Sequence, residues 1–289
     1  MRRRIALPCR RRGWRGFVLA LGLSALGPAA WAEGVFRVCL DENNLPYSAR
    51  NAEQGFDIGV SQAVARQLGR RWEPSWYTTD ARIQEIDDSD LPTRRLARGE
   101  CDAIFSFPGP AADTLRGETD LTLGAAYYGA AFELLSCGAE VPPQFRALRG
   151  HTVAIQSQTV AHFALLMVKA EPRNYFSLDA ALSGVTSGET EAALLWGPSV
   201  GHRLRPNTAE SGACRFVPGY EPPTAVRWNL HVANRAADEA LKTRIAEALT
   251  AVADSGALET LAGAWGIPWH PPFDSTYSMG AINELKRSH

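Results

Sequence analysis

The residues best placed to bind a ligand follow the end of an apolar strand near the start of the chain. In residues 37–48 an apolar run gives way to a polar turn that contains Pro46, and a Gly-Phe-Asp step at 55–57 then opens a helix. In open α/β sheets, ligands bind in loops at the carboxyl ends of parallel strands. Asn44 and Tyr47 are therefore candidate binding residues, and the segment favours binding over catalysis.

The chain offers little that points to catalysis or to a metal. It has no phosphate-binding glycine loop and no His-Glu-x-x-His, and its histidines lack metal-ligand spacing. The oxygens of Asp87, Asp88 and Asp90 would suit calcium, but the run lacks the glycine and terminal glutamate of a calcium loop, which favours an acidic surface loop. We predict that the protein is not an enzyme and that it has no cofactor and no metal site.

The first residues are typical of an export signal. Arginines crowd residues 2–15 without any acidic residue, an apolar run covers 17–26, and Ala30 and Ala32 form an Ala-x-Ala cleavage site. The apolar run is shorter than the about 20 residues that span a bilayer, although an uncleaved anchor is the alternative. We expect residues 1–32 to be a signal peptide and the mature protein to be periplasmic.

The mature chain is acidic. Removal of the seven arginines in residues 1–32 leaves 23 basic and 31 acidic residues, a net charge of −8. A protein that binds nucleic acid normally carries a basic patch, and this composition does not supply one. We therefore expect no nucleic-acid partner.

The remaining residues alternate between predicted strands and helices. Strands are predicted at 36–40, 72–77 and 103–107, with helices at 56–68 and 92–98 between them. A similar plan begins again at Leu148, and strand-like runs at 132–135 and 228–232 lie on either side of it as natural connections. Residues 238–261 have helical spacing. This order predicts α/β lobes with parallel strands, in which 33–134 and 229–289 form lobe 1 and 135–228 form lobe 2.

Four cysteines follow the export segment, at Cys39, Cys101, Cys137 and Cys214. An even number in an oxidising compartment favours disulfides, and four cysteines allow three connectivities, with buried free thiols as the alternative. Cys39 and Cys101 lie in or beside the first and third predicted strands, and neighbouring strands are about 4.8 Å apart, within reach of a bridge. We expect Cys39 to pair with Cys101, which leaves Cys137 to pair with Cys214 near the lobe connections.

Taken in order, several short segments resemble the family 3 extracellular solute-binding proteins over nearly the whole mature chain. The segments are Leu45-Pro46-Tyr47-Ser48, Gly55-Phe56-Asp57, residues 99–104, Tyr127-Tyr128, residues 148–154 and Trp265-Gly266. The resemblance implies the α/β fold of the type 2 periplasmic binding proteins. In that fold two mixed sheets with covering helices form two lobes, which two crossover strands join.

Two segments narrow the resemblance. Val38-Cys39 followed by residues 43–48, and residues 195–201, are similar to the J-type proteins (MxaJ and XoxJ) that accompany quinoprotein methanol dehydrogenases. This implies an accessory protein of a quinoprotein (PQQ-dependent) alcohol dehydrogenase system, whose partner is the dehydrogenase or its cytochrome c. The alternative is the substrate-binding protein of an ABC transporter, with a small polar or amino-acid-like solute and an ABC permease as partners.

The same resemblance implies roles for several site residues. In amino-acid-binding members an arginine clamps the ligand carboxylate, and Arg116 is the nearest match, with a surface ion pair to Glu118 or Asp120 as the alternative. Gln158 and Thr159 fall where the second lobe offers a helix N-terminus to an anion, with simple helix capping as the alternative. Ser106, Phe107 and Gly109 complete the candidates for ligand or partner binding.

Trp196 marks a departure from that family pattern. It stands where amino-acid binders hold a carboxylate for the ligand's ammonium group, and Asn44 stands at a ligand-facing aromatic position. We therefore expect free α-amino acids to bind weakly, with packing between the lobes as the alternative role of Trp196. Cyclohexadienyl dehydratases share the fold, but their chemistry needs a carboxylate in the cleft, and Trp196 removes one candidate.

Overall fold

The computed structural model describes residues 34–79, 91–110, 120–206 and 214–287. The predicted signal peptide, the acidic run at 85–90 and Arg116 lie outside these residues. The strands are β1 (Val35–Asp41), β2 (Asn43–Asn44), β3 (Ser48–Ala49), β4 (Arg71–Tyr77), β5 (Ala103–Pro108), β6 (Leu121–Ser136), β7 (Thr152–Gln156), β8 (Glu171–Tyr175), β9 (Ala192–Trp196), β10 (Arg215–Phe216) and β11 (Arg227–Arg235). The helices are α1 (Phe56–Leu68), α2 (Pro92–Ala97), α3 (Val160–Met167), α4 (Leu178–Thr186), α5 (Gly197–Arg203), α6 (Glu239–Asp254), α7 (Ala257–Ala264) and α8 (Met279–Arg287).

The first lobe is built on a mixed sheet with the order β4-β1-β5-β11-β6. β1 pairs in parallel with β4 and β5, whereas β11 runs antiparallel to β5 and β6. β1 is buried along most of its length, as expected for a central parallel strand covered on both faces. The apolar face of α1 and residues of α6 and α7 join the same hydrophobic core.

The second lobe repeats this plan on a smaller scale. Its strands follow the order β6-β9-β7-β8, in which β7 pairs in parallel with β8 and β9 and β9 runs antiparallel to β6. α3 packs on one core of this lobe, and α4 belongs to another, smaller core. Each lobe therefore buries apolar residues of its own.

The long strand β6 belongs to both lobes. Residues 121–131 pair with β11, and Phe132 to Leu135 pair with β9. The two predicted mixed sheets therefore share this strand, and the prediction of a two-lobed α/β fold is confirmed. The sequence predicted only the 132–135 part of β6, because the preceding residues include the small residues Gly124, Ala125 and Ala126, which carry a weak strand signal.

The structure contains both disulfide pairs that the sequence led us to expect. Cys39 bonds to Cys101, and Cys137 bonds to Cys214. Cys39 lies on β1 opposite Ile104 of the neighbouring strand β5, and its partner Cys101 lies two residues before that strand begins. The second bridge connects the end of β6 with the start of β10.

The C-terminal region differs in detail from the expected pattern. The predicted helical stretch at 238–261 is two helices, α6 and α7, which separate at Gly256. Gly256 has a φ of 73°, a left-handed conformation that ends the first helix. α8 packs against α3 and contributes Ala281, Ile282 and Leu285 to a second-lobe core. The lobe boundaries at 134/135 and 228/229 stay predictions. The last helix falls in the part of the chain predicted for lobe 1, but it contacts residues predicted for lobe 2.

Candidate functional site

A cavity of about 640 Å³ lies where the two lobes meet. Its first-lobe wall comes from β1, the turn after it, α1 and β5, and its second-lobe wall includes Thr159, Val160 and Trp196. The strand ends that face it belong to the parallel strands β1, β5 and β9. The site therefore lies at the carboxyl ends of these strands, where α/β folds bind ligands.

Asp41 organises the turn that forms one side of the cavity. Its Oδ1 accepts a hydrogen bond of 2.8 Å from the backbone N–H of Asn43, and its Oδ2 accepts one from the Thr79 hydroxyl. Ser48 Oγ donates to the Asp41 carbonyl at 2.7 Å. The backbone N–H of Tyr47 donates to the Asn44 carbonyl at 2.8 Å. These bonds hold Asn44, Tyr47 and Ser48 on the cavity wall.

Asp57 forms the polar centre of the first-lobe wall. It lies in the first turn of α1 and is 5 % exposed. Its Oδ1 accepts a hydrogen bond of 2.5 Å from Ser106 Oγ and a longer one of 3.3 Å from the Tyr127 hydroxyl. The backbone N–H of Ser106 donates to the Tyr127 oxygen at 2.8 Å. Among the described residues Asp57 Oδ2 has no hydrogen-bond donor.

Burial controls the charge of this centre. It raises the pKa of the Asp57 carboxyl from 3.8 to about 7, and the hydrogen bonds from Ser106 and Tyr127 oppose that rise only in part. Burial also raises the pKa of Tyr47 and of Tyr127. No described Lys or Arg lies within ion-pair distance of Asp57. Near neutral pH this carboxyl can therefore hold or release a proton as its surroundings change.

Ser106 takes a backbone conformation that is uncommon for its type. Its φ is 51°, in the left-handed region, where β5 turns toward the cavity. Such conformations cost about 1–3 kcal/mol and persist where the surroundings fix them. The hydrogen bonds to Asp57 and Tyr127 hold Ser106 in this conformation. The serine hydroxyl meets the carboxylate directly, without an imidazole between them, so the arrangement suits ligand orientation better than nucleophilic attack.

Trp196 anchors an aromatic wall where β6, β9 and β11 meet. Its ring lies 5.5 Å from that of Phe132 and 5.8 Å from that of Trp228, and Trp228 stacks on Tyr277 at 5.0 Å. The Trp196 indole N–H donates to the Tyr47 hydroxyl at 3.1 Å. Trp196 is half-buried and packs against the main cores of both lobes. It therefore links the two lobes, as in the alternative role considered for it.

The structure brings most of the predicted binding residues to one place. Those that line the cavity are Asn44, Tyr47, Ser106, Phe107, Thr159 and Trp196. Gly109 and Gln158 do not line it, although each neighbours a lining residue. Arg116 lies outside the described residues, so its role in binding stays a prediction. That these residues bind a ligand or a partner likewise stays a prediction.

The Thr159 side chain does not cap the helix that follows it, which was the alternative to its role in binding. Thr159 is the N-cap residue of α3, but its hydroxyl donates to the Gln156 carbonyl at 2.8 Å instead of accepting from the helix. Gln158 has a φ of 63° and leads the chain into the helix. The Thr159 side chain therefore lies on the cavity wall without serving as the cap.

Several lining residues were not predicted from the sequence. Asp41, Asp57, Tyr77, Trp228 and Tyr277 all line the cavity. A signal existed for Asp57, since it belongs to the Gly-Phe-Asp step that opens α1. Trp228 and Tyr277 come from distant parts of the chain, and only the packing of β11 and the C-terminal segment shows that they belong here.

One serine has the spacing of a hydrolase nucleophile but not its structure. Residues 197–201 read Gly-Pro-Ser-Val-Gly, a Gly-x-Ser-x-Gly pattern. In a hydrolase that serine occupies a strained turn between strand and helix, whereas Ser199 lies inside α5 and its φ is not positive. Ser199 does not line the cavity, and no described histidine bonds to it. The pattern therefore gives no evidence for a hydrolase.

The described residues supply neither a metal-binding cluster nor a membrane-spanning helix. They contain no group of three or more His, Cys, Asp or Glu side chains that could hold a metal ion. Within the same part of the chain, no helix combines the length and the apolar character that crossing a bilayer requires.

Comparisons with known proteins connect this chain to solved structures by fold. No protein-family model and no curated protein sequence matches it. The L-cystine solute receptor of Neisseria gonorrhoeae, in an unliganded open conformation, has a TM-score of 0.67 at 15 % identity, over 82 % of this chain and 95 % of that one. The second substrate-binding domain of GlnP from Lactococcus lactis, also open, has a TM-score of 0.65 at 13 % identity, over 80 % and 94 %.

A third structure has the highest sequence identity of the three. It is an ancestral cationic amino-acid solute-binding protein, with a TM-score of 0.62 at 23 % identity, over 80 % of this chain and 95 % of that one. At these identities the likeness concerns the fold. It is the two-lobed α/β fold of periplasmic binding proteins, with a mixed sheet and covering helices.

Proposed function

We propose that this protein is a solute-binding protein that captures a small organic molecule between its lobes and presents it to an ABC permease. The cavity of about 640 Å³ carries the proposal, because both lobes line it and its volume falls in the range of small-molecule sites. The neighbours in fold support it, since their names describe solute receptors and substrate-binding domains. The predicted signal peptide and the two disulfides fit a periplasmic location.

Within this proposal, the protein belongs with the family 3 solute-binding proteins and acts by binding, not by catalysis. Free α-amino acids are poor candidates for the solute. Among the described lining residues there is no Lys or Arg for the carboxylate of an amino acid, and Trp196 does not supply the carboxylate that amino-acid binders hold at its position. Cation–π attraction to Trp196 is weaker, about 0.5–2 kcal/mol.

A thermal-shift and calorimetric screen tests the function. The panel contains small solutes grouped by charge, the common amino acids among them. A true ligand at about 100 times its Kd stabilises the protein by about 2.7 kcal/mol, which a thermal shift detects. Thr159→Trp places a bulky ring on the cavity wall and should abolish the shift, whereas Thr186→Trp on the exposed face of α4 should keep it. If Thr159→Trp leaves the shift intact, the cavity is not the binding site.

A second candidate function is the accessory role in a quinoprotein alcohol dehydrogenase system. One observation favours it: both segments that carry the narrower resemblance meet at this cavity, where the Trp196 indole N–H donates to Tyr47. The partner would be the dehydrogenase or its cytochrome c. Without the predicted signal peptide the chain has a net charge of −8, which would steer a basic partner, so binding should weaken as salt rises.

Capture of partners from detergent-solubilised cell envelopes, which contain both periplasmic and membrane proteins, separates the two candidates. Recovery of a quinoprotein, lost at high salt, would support the accessory role. Recovery of a permease, together with tight binding of a small solute, would support the transport role instead.

A further inference from the structure

The cavity wall is rich in aromatic residues. Eight of the described residues that line it are Phe, Tyr or Trp. Among these, Phe132, Trp196, Trp228 and Tyr277 form one continuous cluster, with neighbouring ring centroids 5.0–6.0 Å apart. Aromatic rings attract cations through their electron-rich faces, and cages of such rings recognise alkylated ammonium groups. This wall could therefore hold a ligand that is both apolar on its surface and positively charged.

The charged residues among the described lining residues are both acidic. Asp41 and Asp57 line the cavity, and none of the described lining residues is Lys or Arg. Asp41 is already engaged, since both of its carboxylate oxygens accept hydrogen bonds within its turn. Asp57 is different, because both of its hydrogen bonds end on Oδ1 and come from neutral hydroxyls. Its Oδ2 has no donor among the described residues.

Asp57 is therefore a buried acid whose negative charge no described group balances. It is 5 % exposed, and no described cation is within ion-pair distance. Burial of an unpaired carboxylate is costly, and an incoming cation would remove that cost. The raised pKa of Asp57 has the same cause, namely loss of water around the carboxyl.

We propose that the solute is a small organic cation, an alkylated or protonated ammonium compound without a carboxylate. Its charge pairs with Asp57, and its alkyl groups pack against the aromatic wall that Trp196 and Trp228 provide. This inference rests on the proposed solute-binding function and names the chemical class of its ligand. It differs from an amino-acid ligand, whose carboxylate would need a basic partner that the described lining residues do not supply.

Three probes that share one head-group shape test the ligand class by isothermal titration at pH 8. Choline carries a permanent positive charge, 3,3-dimethylbutan-1-ol is its neutral isostere, and glycine betaine adds a carboxylate. We expect choline to bind about tenfold or more tightly than either of the others. Equal or tighter binding of the neutral alcohol or of betaine overturns the cation inference.

A matched pair of variants tests the role of Asp57. Asp57→Asn keeps the shape and an acceptor for Ser106 but removes the charge, so choline affinity should fall about tenfold or more while affinity for the neutral alcohol stays the same. Asp179→Asn makes the same change on the exposed start of α4 and should alter neither the affinity for choline nor the affinity for the neutral alcohol. Unchanged choline binding in Asp57→Asn overturns the inference.

The failure of this inference is distinguishable from failure of the proposed function. If the cavity binds neutral, anionic or zwitterionic solutes from the wider panel but not choline, only the ligand class is wrong. If no solute of any class binds, the proposed solute-binding function is wrong as well. The comparison of three probes on the wild type needs no variant, so it decides the question even if Asp57→Asn folds poorly.

Discussion

At the scale of single residues, Asp57 is the group whose surroundings most change its chemistry. It combines nearly complete burial with hydrogen bonds that, among the described residues, come only from Ser106 and Tyr127. Neutral hydroxyls stabilise a carboxylate less than a cation does, so burial dominates and the pKa rises to about 7. This residue therefore connects the stability of the fold with the electrostatics of the cavity.

The raised pKa predicts a pH dependence of stability. An acid with a higher pKa in the folded state stabilises the fold fully below its unfolded pKa, and that contribution is lost as pH rises through the folded pKa. Between pH 4 and pH 8 this group alone should lower the free energy of unfolding by roughly 4 kcal/mol, from a shift of 3.8 to about 7. Asp57→Asn should remove that slope, so the variant gains stability relative to wild type as pH rises.

Urea unfolding at pH 4, 6 and 8 checks this expectation. Asp41, Tyr47, Tyr77 and Tyr127 also lie near Asp57, but burial raises the pKa of each of these tyrosines, so they stay neutral over this range. Asp179→Asn is the control and should follow the wild type. Parallel stability curves for Asp57→Asn and wild type would contradict the prediction.

At the scale of elements, the start of α1 sets where Asp57 lies. Gly55 precedes the helix with a φ of 149°, and a Cβ built there would lie 2.1 Å from the Tyr47 carbonyl oxygen. The backbone N–H groups of Phe56 and Asp57 donate to the carbonyls of Pro46 and Tyr47. The helix start is thus joined to the turn that carries Tyr47, and only glycine permits this close approach.

Gly55→Ala should therefore destabilise the protein and disturb the cavity. The added Cβ meets backbone, which cannot move aside as a flexible side chain can, so we expect a loss of about 2 kcal/mol or more in the free energy of unfolding. Gly263→Ala in α7 is the control, because a Cβ there meets no atom within 4 Å and alanine favours helix by up to about 1 kcal/mol. Chemical denaturation measures the free energy of unfolding of both variants, which should fall for Gly55→Ala and rise for Gly263→Ala. Equal changes in the two variants would contradict the prediction.

At the scale of the whole molecule, two features join the lobes. β6 runs through both sheets, and the Trp196 indole N–H donates to the Tyr47 hydroxyl across the cavity wall. The strand provides a covalent and hydrogen-bonded connection, whereas the side-chain bond depends on how the lobes sit together. Trp196 is therefore a structural link as well as a candidate binding residue.

A double-mutant cycle measures this link. Tyr47→Phe and Trp196→Phe each remove one partner of the bond and keep an aromatic ring, so we expect a coupling free energy of about 0.5–1.5 kcal/mol from urea unfolding of the singles and the double. Tyr128→Phe paired with Trp196→Phe is the control cycle, because the Tyr128 hydroxyl donates to the Pro268 carbonyl instead. Additive effects in the first cycle would show that the bond does not contribute to stability.

Local pattern alone determined much of the fold. Apolar spacing between Gly55 and Gly69 predicted α1 at 56–68, and the structure has that helix with Gly69 at a φ of 64° after it. The pairing of Cys39 with Cys101 needed one assumption that is not local, namely that β5 lies beside β1. The helix α1 and the buried run of β1 needed no such assumption. These features depend on periodicity and on glycine conformation, both of which are written in short stretches of sequence.

Only the tertiary structure decided the character of the cavity. Asp57 meets Ser106 across 49 residues and Tyr47 meets Trp196 across 149, contacts that no local spacing encodes. The sequence identified Trp196 as a departure from amino-acid binders but could not place it against Phe132, Trp228 and Tyr47. Such neighbours follow from the order of strands and the packing of the two lobes. The raised pKa of Asp57 follows in turn from burial, which the assembled fold produces.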